Sequence, residues 1–331
     1  MIFAQPAPTI AVRSLDSFDP AGIEESVKGS HLEHVQLSSG RFRGLLLRSA
    51  YRDMQLDFGR YNLPLHARGT MPTRQLTLGF ALNSDAHAML NGEAVDGSTL
   101  VSFREGSELD YRMAPRSEWL AIQVDRTDIE RFGVESPDVH TCCIPVTQHH
   151  RWKLGQHLNL AVQTLLEIDS AEAALVADVD AYLGQLYADM LDDFCAILQS
   201  VQPQRIPNSL ERQTRLARKA TEYIDANIDS TLQIGLMCTE LGTTFKSLER
   251  SFLRLYGVTP KRYVDLARLA KARRNLIASR GSEFTIADVA TGCGINHLGR
   301  FAQRYKALYG ELPSETLQLP CPANARARRC S

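Results

Sequence analysis

Apolar and polar positions follow different periods along the chain. Between residues 31 and 125 the apolar residues come in short runs, and the stretch 75–80 (QLTLGF) alternates them with polar ones. Residues 99–103 and 119–124 are further short apolar runs. A period of two sends alternate side chains to opposite faces of a strand. Asn91-Gly92 and Asp96-Gly97 punctuate these runs, and such dipeptides adopt the positive φ angles of tight turns. Many short strands with recurrent turns predict a small β-barrel or sandwich. Residues 1–30, with Pro6, Pro8 and Pro20, predict irregular chain ahead of it.

From Trp152 the period becomes helical. Apolar residues stand at 154, 158, 161, 162, 165 and 168, and a second stripe runs through Leu175, Val179, Leu183, Leu186, Met190, Leu191, Phe194, Ile197 and Leu198. These predict two long helices over 152–168 and 171–201, each needing a surface to bury its stripe, either the barrel or a partner subunit. Pro203 and Pro207 mark 200–212 as a linker. The tail 320–331 predicts disorder.

Residues 213–316 read as helical throughout. A helix over 213–228 is followed by a short one over 232–241 with Thr231 as its cap, a break at Gly242-Thr243, and a longer helix over 245–256 capped by Thr244 and ended by Gly257. The same grammar returns fifty residues later. A short helix over 286–291, the turn Gly292-Cys293-Gly294, Asn296 as cap, and a helix over 297–309 ended by Gly310 form the second unit. A basic amphipathic helix over 263–279 connects them. Short helix, glycine turn, second helix with exposed cations: each unit predicts a helix-turn-helix. The fold class is α+β, with residues 1–199 as one domain and 213–319 as an all-α domain.

Charge sharpens this division. Residues 213–331 hold 19 Lys and Arg against 10 Asp and Glu, and residues 1–212 hold 18 against 28, so a net charge of −1 conceals +9 on one part and −10 on the other. A basic module predicts a polyanionic partner, double-stranded DNA. The seven cysteines are odd in number and have no CxxC spacing, which predicts free thiols in a reducing compartment. No run reaches the roughly 18 apolar residues of a membrane helix. The first residues lack the charged start and apolar core of a signal peptide. The expected location is the cytoplasm, with no membrane partner.

The C-terminal third resembles the AraC/XylS family of transcriptional regulators. The resemblance rests on Leu241-Gly242, Leu248, Phe252, Gly257 and Pro260 in the first unit, Arg268-Leu269 and Ala272-Arg273 in the connecting helix, and Val289-Ala290, Gly294, Phe301, Gly310 and Pro313 in the second. Cys238, Thr244 and Ile295 depart from the usual Ala, Ser and Phe without changing size or chemistry much. The resemblance implies a cupin-like effector-binding barrel at the N-terminus, a homodimer through helices within 152–200, RNA polymerase as a partner, and activation of transcription.

Within the two units, Phe245, Lys246, Ser247, Glu249 and Arg250, and His297, Arg300, Gln303 and Arg304, are the expected DNA contacts. Arg250 and Arg300 lead for base readout, because a guanidinium forks onto guanine O6 and N7, and Gln303 suits adenine. Lys261, Arg262, Lys271, Arg274 and Lys306 are placed for phosphates. Arg112 and Arg116 form an RxxxR spacing that could hold an anionic effector, and this resembles the arginine half of the cyclic-di-GMP motif of PilZ domains, whose other half is missing here. His140, Cys142, Cys143, His149, His150 and His157 lack metal-ligand spacing, and His66 and His87 are isolated, so no metal or cofactor is expected. A ligand-independent dimeric DNA-binding protein, or a cupin-type metal enzyme, are the alternative readings; no enzymatic motif supports the second.

Overall fold

The computed structural model describes residues 19–23, 25–51, 54–83, 88–131, 141–170, 176–200, 208–281 and 283–318. The tail 320–331 and His87 and His140 lie outside the described residues. Two antiparallel sheets form the N-terminal part. One has five strands in the order β1 (His31–Gln36), β4 (Leu65–Thr70), β9 (Glu108–Arg112), β6 (Ala88–Leu90) and β7 (Glu93–Val95). The other has six, in the order β11 (Thr141–Pro145), β8 (Thr99–Phe103), β5 (Leu76–Asn83), β10 (Glu118–Val124), β3 (Met54–Tyr61) and β2 (Gly44–Tyr51). Among the described residues no ladder joins the two, so the expected closed barrel is instead a sandwich. The edge strand β7 is three residues long, too short to carry pairing across.

Strand alternation explains the layering. In β10, Leu120, Ile122 and Val124 face one core while Trp119 and Ala121 face another. The first core is completed by α2 (Gln148–Ser170) and α3 (Val176–Ser200), through Leu154, Leu158, Val162, Tyr187, Met190 and Phe194. The long helices therefore bury their stripes on the chain's own six-stranded sheet. Between the sheets lies the second core. There Trp119 sits over Gly59, its partner in register on β3, where any Cβ would come within 2.3 Å of the indole. A short α1 (Arg126–Arg131) connects β10 towards β11. Asn91 and Gly92 turn with φ of 47° and 90° between β6 and β7, as the dipeptide predicts.

The helical part comprises α4 (Asn208–Ala226), α5 (Ile234–Glu240), α6 (Phe245–Tyr256), α7 (Pro260–Ala278), α8 (Ile286–Thr291), α9 (Leu298–Tyr309) and α10 (Pro313–Gln318). Residues 208–212, expected in the linker, are the first turn of α4. Pro260 does not merely end the preceding helix: it opens α7 at a position whose N–H needs no partner, with Thr259 capping through Arg262 N at 3.3 Å. Among the described residues no helix is long and apolar enough to cross a membrane.

The outer face of the five-stranded sheet docks on these helices. At one side Val35 and Leu37 enter a core with Leu269, Phe301, Tyr305 and Leu308; at the other Met89 enters a core with Leu248, Phe252 and Tyr263. Between these apolar flanks runs a polar strip. His66 is fully buried, its Nε2–H donating to Asp110 Oδ1 at 3.0 Å and its Nδ1 accepting from the Tyr263 hydroxyl at 2.8 Å. The Tyr256 hydroxyl donates to Asp110 Oδ2 at 2.9 Å. Arg68 pairs with Asp225 and with Glu33, and Arg218 with Glu108. Burial alone would raise the Asp110 carboxyl, but His66 and the hydrogen bonds outweigh it and hold it below the usual carboxylate range.

His34, in β1, is nearly enclosed. Its Nδ1–H donates to the Ile23 carbonyl at 3.1 Å, and its Nε2 has no hydrogen-bond partner. Burial, with His66 and Arg274 nearby, pushes its pKa down to about 4. The folded chain therefore keeps His34 neutral where the unfolded chain, near 6.5, takes a proton. Stability is expected to fall between pH 6.5 and about 4, by roughly 3 kcal/mol at the lower end. Thermal unfolding at pH 7 and pH 5 checks this: His34→Gln, which cannot titrate, should lose a few degrees less than wild type on acidification. Equal losses would show that other groups govern the acid response.

Candidate nucleic-acid interface

In the first unit, α5 buries Met237 and Cys238, and Gly242 turns the chain at φ 58°. The helix starts later than expected, with Gln233 rather than Thr231 at its cap and no side-chain bond there. Thr244 caps α6 as predicted, accepting from Ser247 N at 3.2 Å. Leu248, Phe252, Leu255 and Tyr256 face the core, at the spacing of one helix face. Phe245, Lys246, Ser247 and Arg250 are exposed and Glu249 is half-buried. Gly257 ends the helix in the left-handed conformation at φ 71°.

The second unit repeats this. Thr285 and Asp288 form a reciprocal capping box at the start of α8, with bonds of 3.2 and 2.9 Å. Gly294, at φ 67°, lies so close to the end of α4 that a Cβ would come within 2.7 Å of the Ile228 carbonyl. The cap of α9 is His297, without a side-chain bond, rather than Asn296. Phe301, Tyr305, Leu308 and Tyr309 are buried, while His297, Gly299, Arg300, Gln303, Arg304 and Lys306 are exposed.

Superposing the two units by their caps and terminal glycines pairs Phe245 with Leu298 at the first helical position. Both are large, apolar and about half exposed, at 53% and 46%. Leu298 escaped the sequence reading because an apolar residue at a helix start is usually core; the internal repeat is the signal that could have found it. Arg300 and Arg304 border a cleft of about 260 Å³ between the start of α9 and α7. Arg304 leans on Asp265 at 3.4 Å. Arg268 faces the same cleft but donates to the carbonyls of Ile228 and Ser230, at 3.2 and 2.6 Å.

The expected phosphate contacts divide. Lys261, Arg262 and Lys306 are exposed. Lys271 instead pairs with Asp229, and Arg274 lies 3.7 Å from Glu33 on the docked sheet, with its Nη1 buried and unpartnered. Both belong to the packing between elements, because α7 is covered on that side, which one sequence window does not reveal. Arg112 is half-buried against Gly257, with Nη1 2.9 Å from where a Cβ would stand, and Arg116 is exposed on a turn at φ 58°.

A separate cavity of about 70 Å³ lies between the sheets, lined by Leu90, Val101, Phe103, Leu109, Met113 and Trp119 among others, almost all apolar. Among the described residues no three His, Cys, Asp or Glu side chains converge as a metal site. Cys143, Cys195, Cys238 and Cys293 are free thiols.

Two matched helices that present cationic first turns from glycine-turned units define a double helix-turn-helix DNA-binding domain. A family model described as a helix-turn-helix domain matches residues 237–318. The chain is 31% identical over 103 residues to a Rhodococcus erythropolis protein named "Probable thc operon regulatory protein", covering 31% of each chain. It is 30% identical over 100 residues to the XylDLEGF operon transcriptional activator of Pseudomonas putida, covering 30% of this chain and 31% of that one. A solved Rhodopseudomonas palustris structure, described as a probable AraC family transcriptional regulator, is 33% identical over 31% of this chain and 95% of its own, with a TM-score of 0.29. The chain is thus similar, over its helix-turn-helix part, to regulators of the AraC/XylS family. The match spans about a third of the length of these curated relatives.

Arg300→Ala and Arg250→Ala are each expected to weaken a selected duplex by about 1–3 kcal/mol and to relax the base preference at one position. Lys261→Ala is expected to weaken all duplexes alike and to lower the slope of log affinity against log salt by about one. Titrations of selected and scrambled duplexes at two salt concentrations check both, and a uniform loss in Arg300→Ala would move that residue to the phosphates.

Proposed function

We propose that this chain is a sequence-specific transcriptional activator that reads two successive major grooves and responds to a small effector held in its N-terminal sandwich. The observation that carries the first half is the pair of exposed, cationic first turns on α6 and α9, set on one body. Recognition helices present such residues to base edges, and two units on one DNA face stand about 34 Å apart. RNA polymerase is the partner that activation implies. A homodimer through α2 and α3 is supported by what their packing leaves outside: Trp152, Leu160 and Tyr182 are exposed although the buried stripe is taken by the sheet.

For the effector, the lining of the interior cavity favours an uncharged, apolar molecule. Arg112 and Arg116 lie outside it, which removes support from an anion such as cyclic-di-GMP. A volume near 70 Å³ is below the roughly 150 Å³ that takes a benzene ring, so binding requires the two sheets to part slightly. The small volume also favours a second reading, a DNA-binding protein without a ligand.

Thermal shift against small aromatic and aliphatic compounds separates the two. A fitting compound at a hundred times its Kd should stabilise wild type by about 2.7 kcal/mol. Ala121→Leu, which fills the cavity, should lose that shift while keeping its DNA affinity. No shift with any compound in wild type would leave the ligand-independent reading standing.

A further inference from the structure

We propose that the five-stranded sheet is a second strut between the two helix-turn-helix units, and that Gln36 and Asp110 are the positioning residues that set one recognition helix relative to the other. This rests on the DNA-binding reading above and adds the element that fixes its geometry.

The two units have separate cores. The first gathers around Leu248, Phe252 and Tyr263, the second around Leu269, Phe301 and Tyr305, and they share only the partly buried Val258. Helix α7 links them, giving Tyr263, Val264 and Ala267 to the first core and Leu266, Leu269 and Leu276 to the second. A single helix fixes the distance between two bodies well. The rotation of one about that helix relative to the other is restrained beside α7 by Gly294 against the Ile228 carbonyl and by Arg268 on the Ile228 and Ser230 carbonyls. A further attachment at a distance from the helix axis restrains it more strongly.

The sheet supplies that attachment, and it does so at the same place on both units. Tyr256 is the last residue of α6, and its hydroxyl is held by Asp110 on β9 at 2.9 Å. Leu308 is the penultimate residue of α9. Its carbonyl accepts from Gly40 N at 2.9 Å and from Gln36 Nε2, at the end of β1, at 3.0 Å. Gln36 Nε2 also reaches the carbonyls of Ser38 and Gly40, at 2.7 and 2.9 Å, which holds that loop against the end of α9. Both recognition helices are thus gripped at their C-terminal ends by one rigid sheet, while their N-terminal turns, which read bases, point to solvent. Met89 beside the first grip and Val35 and Leu37 beside the second make the attachment apolar as well as polar. Docking leaves the DNA-facing turns open, so the sheet orients them and does not cover them.

Two linked binding modules gain affinity only when their spacing lets both engage together. The strut therefore predicts a selective defect. A duplex obtained by selection with the full chain, and the same duplex with either half scrambled, are titrated with wild type, Tyr256→Phe and Gln36→Met. Tyr256→Phe removes one hydroxyl from a buried ring, and Gln36→Met removes the donor at similar volume. Each is expected to weaken the complete site about tenfold and the half-scrambled sites by less than about twofold. Insertion of a half-turn of DNA between the halves should harm wild type more than either variant. Equal losses on complete and scrambled sites, or no loss on either, would overturn the strut; the scrambled sites report whether each unit still folds and binds. Failure of wild type to select any sequence would instead overturn the DNA-binding reading itself.

Discussion

The docking of the five-stranded sheet's outer face on the helices is the contact on which the rest of the molecule depends. It joins an acidic part of the chain to a basic one, and several charges seen as separate excesses in the sequence meet there. Glu33 faces Arg274, Glu108 faces Arg218, and Asp19 holds Arg273, which also stacks on the Tyr309 ring at 4.3 Å and bonds the Tyr305 hydroxyl at 2.9 Å. The exposed pair of Arg218 and Glu108 contributes little. The chain of His66, Asp110, Tyr256 and Tyr263 matters more, because its half-buried carboxylate is held by the donors His66 and Tyr256, and His66 in turn by Tyr263, which the dock brings together. Breaking the dock would leave Asp110 without those donors unless water reached it. The polar strip thus favours one register of sheet on helices over other, merely greasy, contacts.

This interface also decides which basic residues are left for DNA. Lys271 and Arg274 look no different in sequence from Lys261 and Arg262, since all four lie on one amphipathic helix with charge all round. The structure separates them by what packs against each face. Carboxylates from α4's end and from β1 take the first pair, and the first turn of α7 keeps the second in solvent. Positive charge is therefore left in solvent at the first turn of α7 and neutralised where Asp229 and Glu33 pack against the same helix.

Much of the DNA-binding part was legible because its signals are local. Thr244, Gly257 and Gly310 do what their types require at those positions, and the helical repeat of Leu248, Phe252 and Leu255 follows from a period of 3.6. The caps at Gln233 and His297 were missed because neither side chain caps; there the helix start is set by tertiary packing, and Thr231 and Asn296 are better caps that go unused. Strand positions in the N-terminal part were legible from alternation, but their division into two sheets was not. Sheet order depends on which distant strands pair, as β1 with β4 and β4 with β9, and the sequence period is the same for a barrel and a sandwich. His66 read as isolated, since its partners are Asp110 and Tyr263, the latter 197 positions away.

One strand layer has the apolar cavity on one face and the docked helices on the other. In β4, Leu65 and Ala67 point to the inner core while His66 and Arg68 point to the helices, and in β9 Leu109 and Tyr111 are opposed to Asp110 in the same way. Side chains on the two faces of a strand share one backbone, so anything that displaces the inner face displaces the outer one by a similar amount. The cavity lies against the inner face of these strands, and the Asp110 grip on α6 lies on the outer face. Hydrogen bonds of 2.9–3.0 Å weaken steeply when stretched, whereas the apolar flanks around Met89 and Val35 tolerate small slips. A shift of the sheet by a fraction of an ångström would therefore register first as a loosened grip on the ends of the recognition helices. That places the most sensitive part of the interface at the point where the angle between them is set.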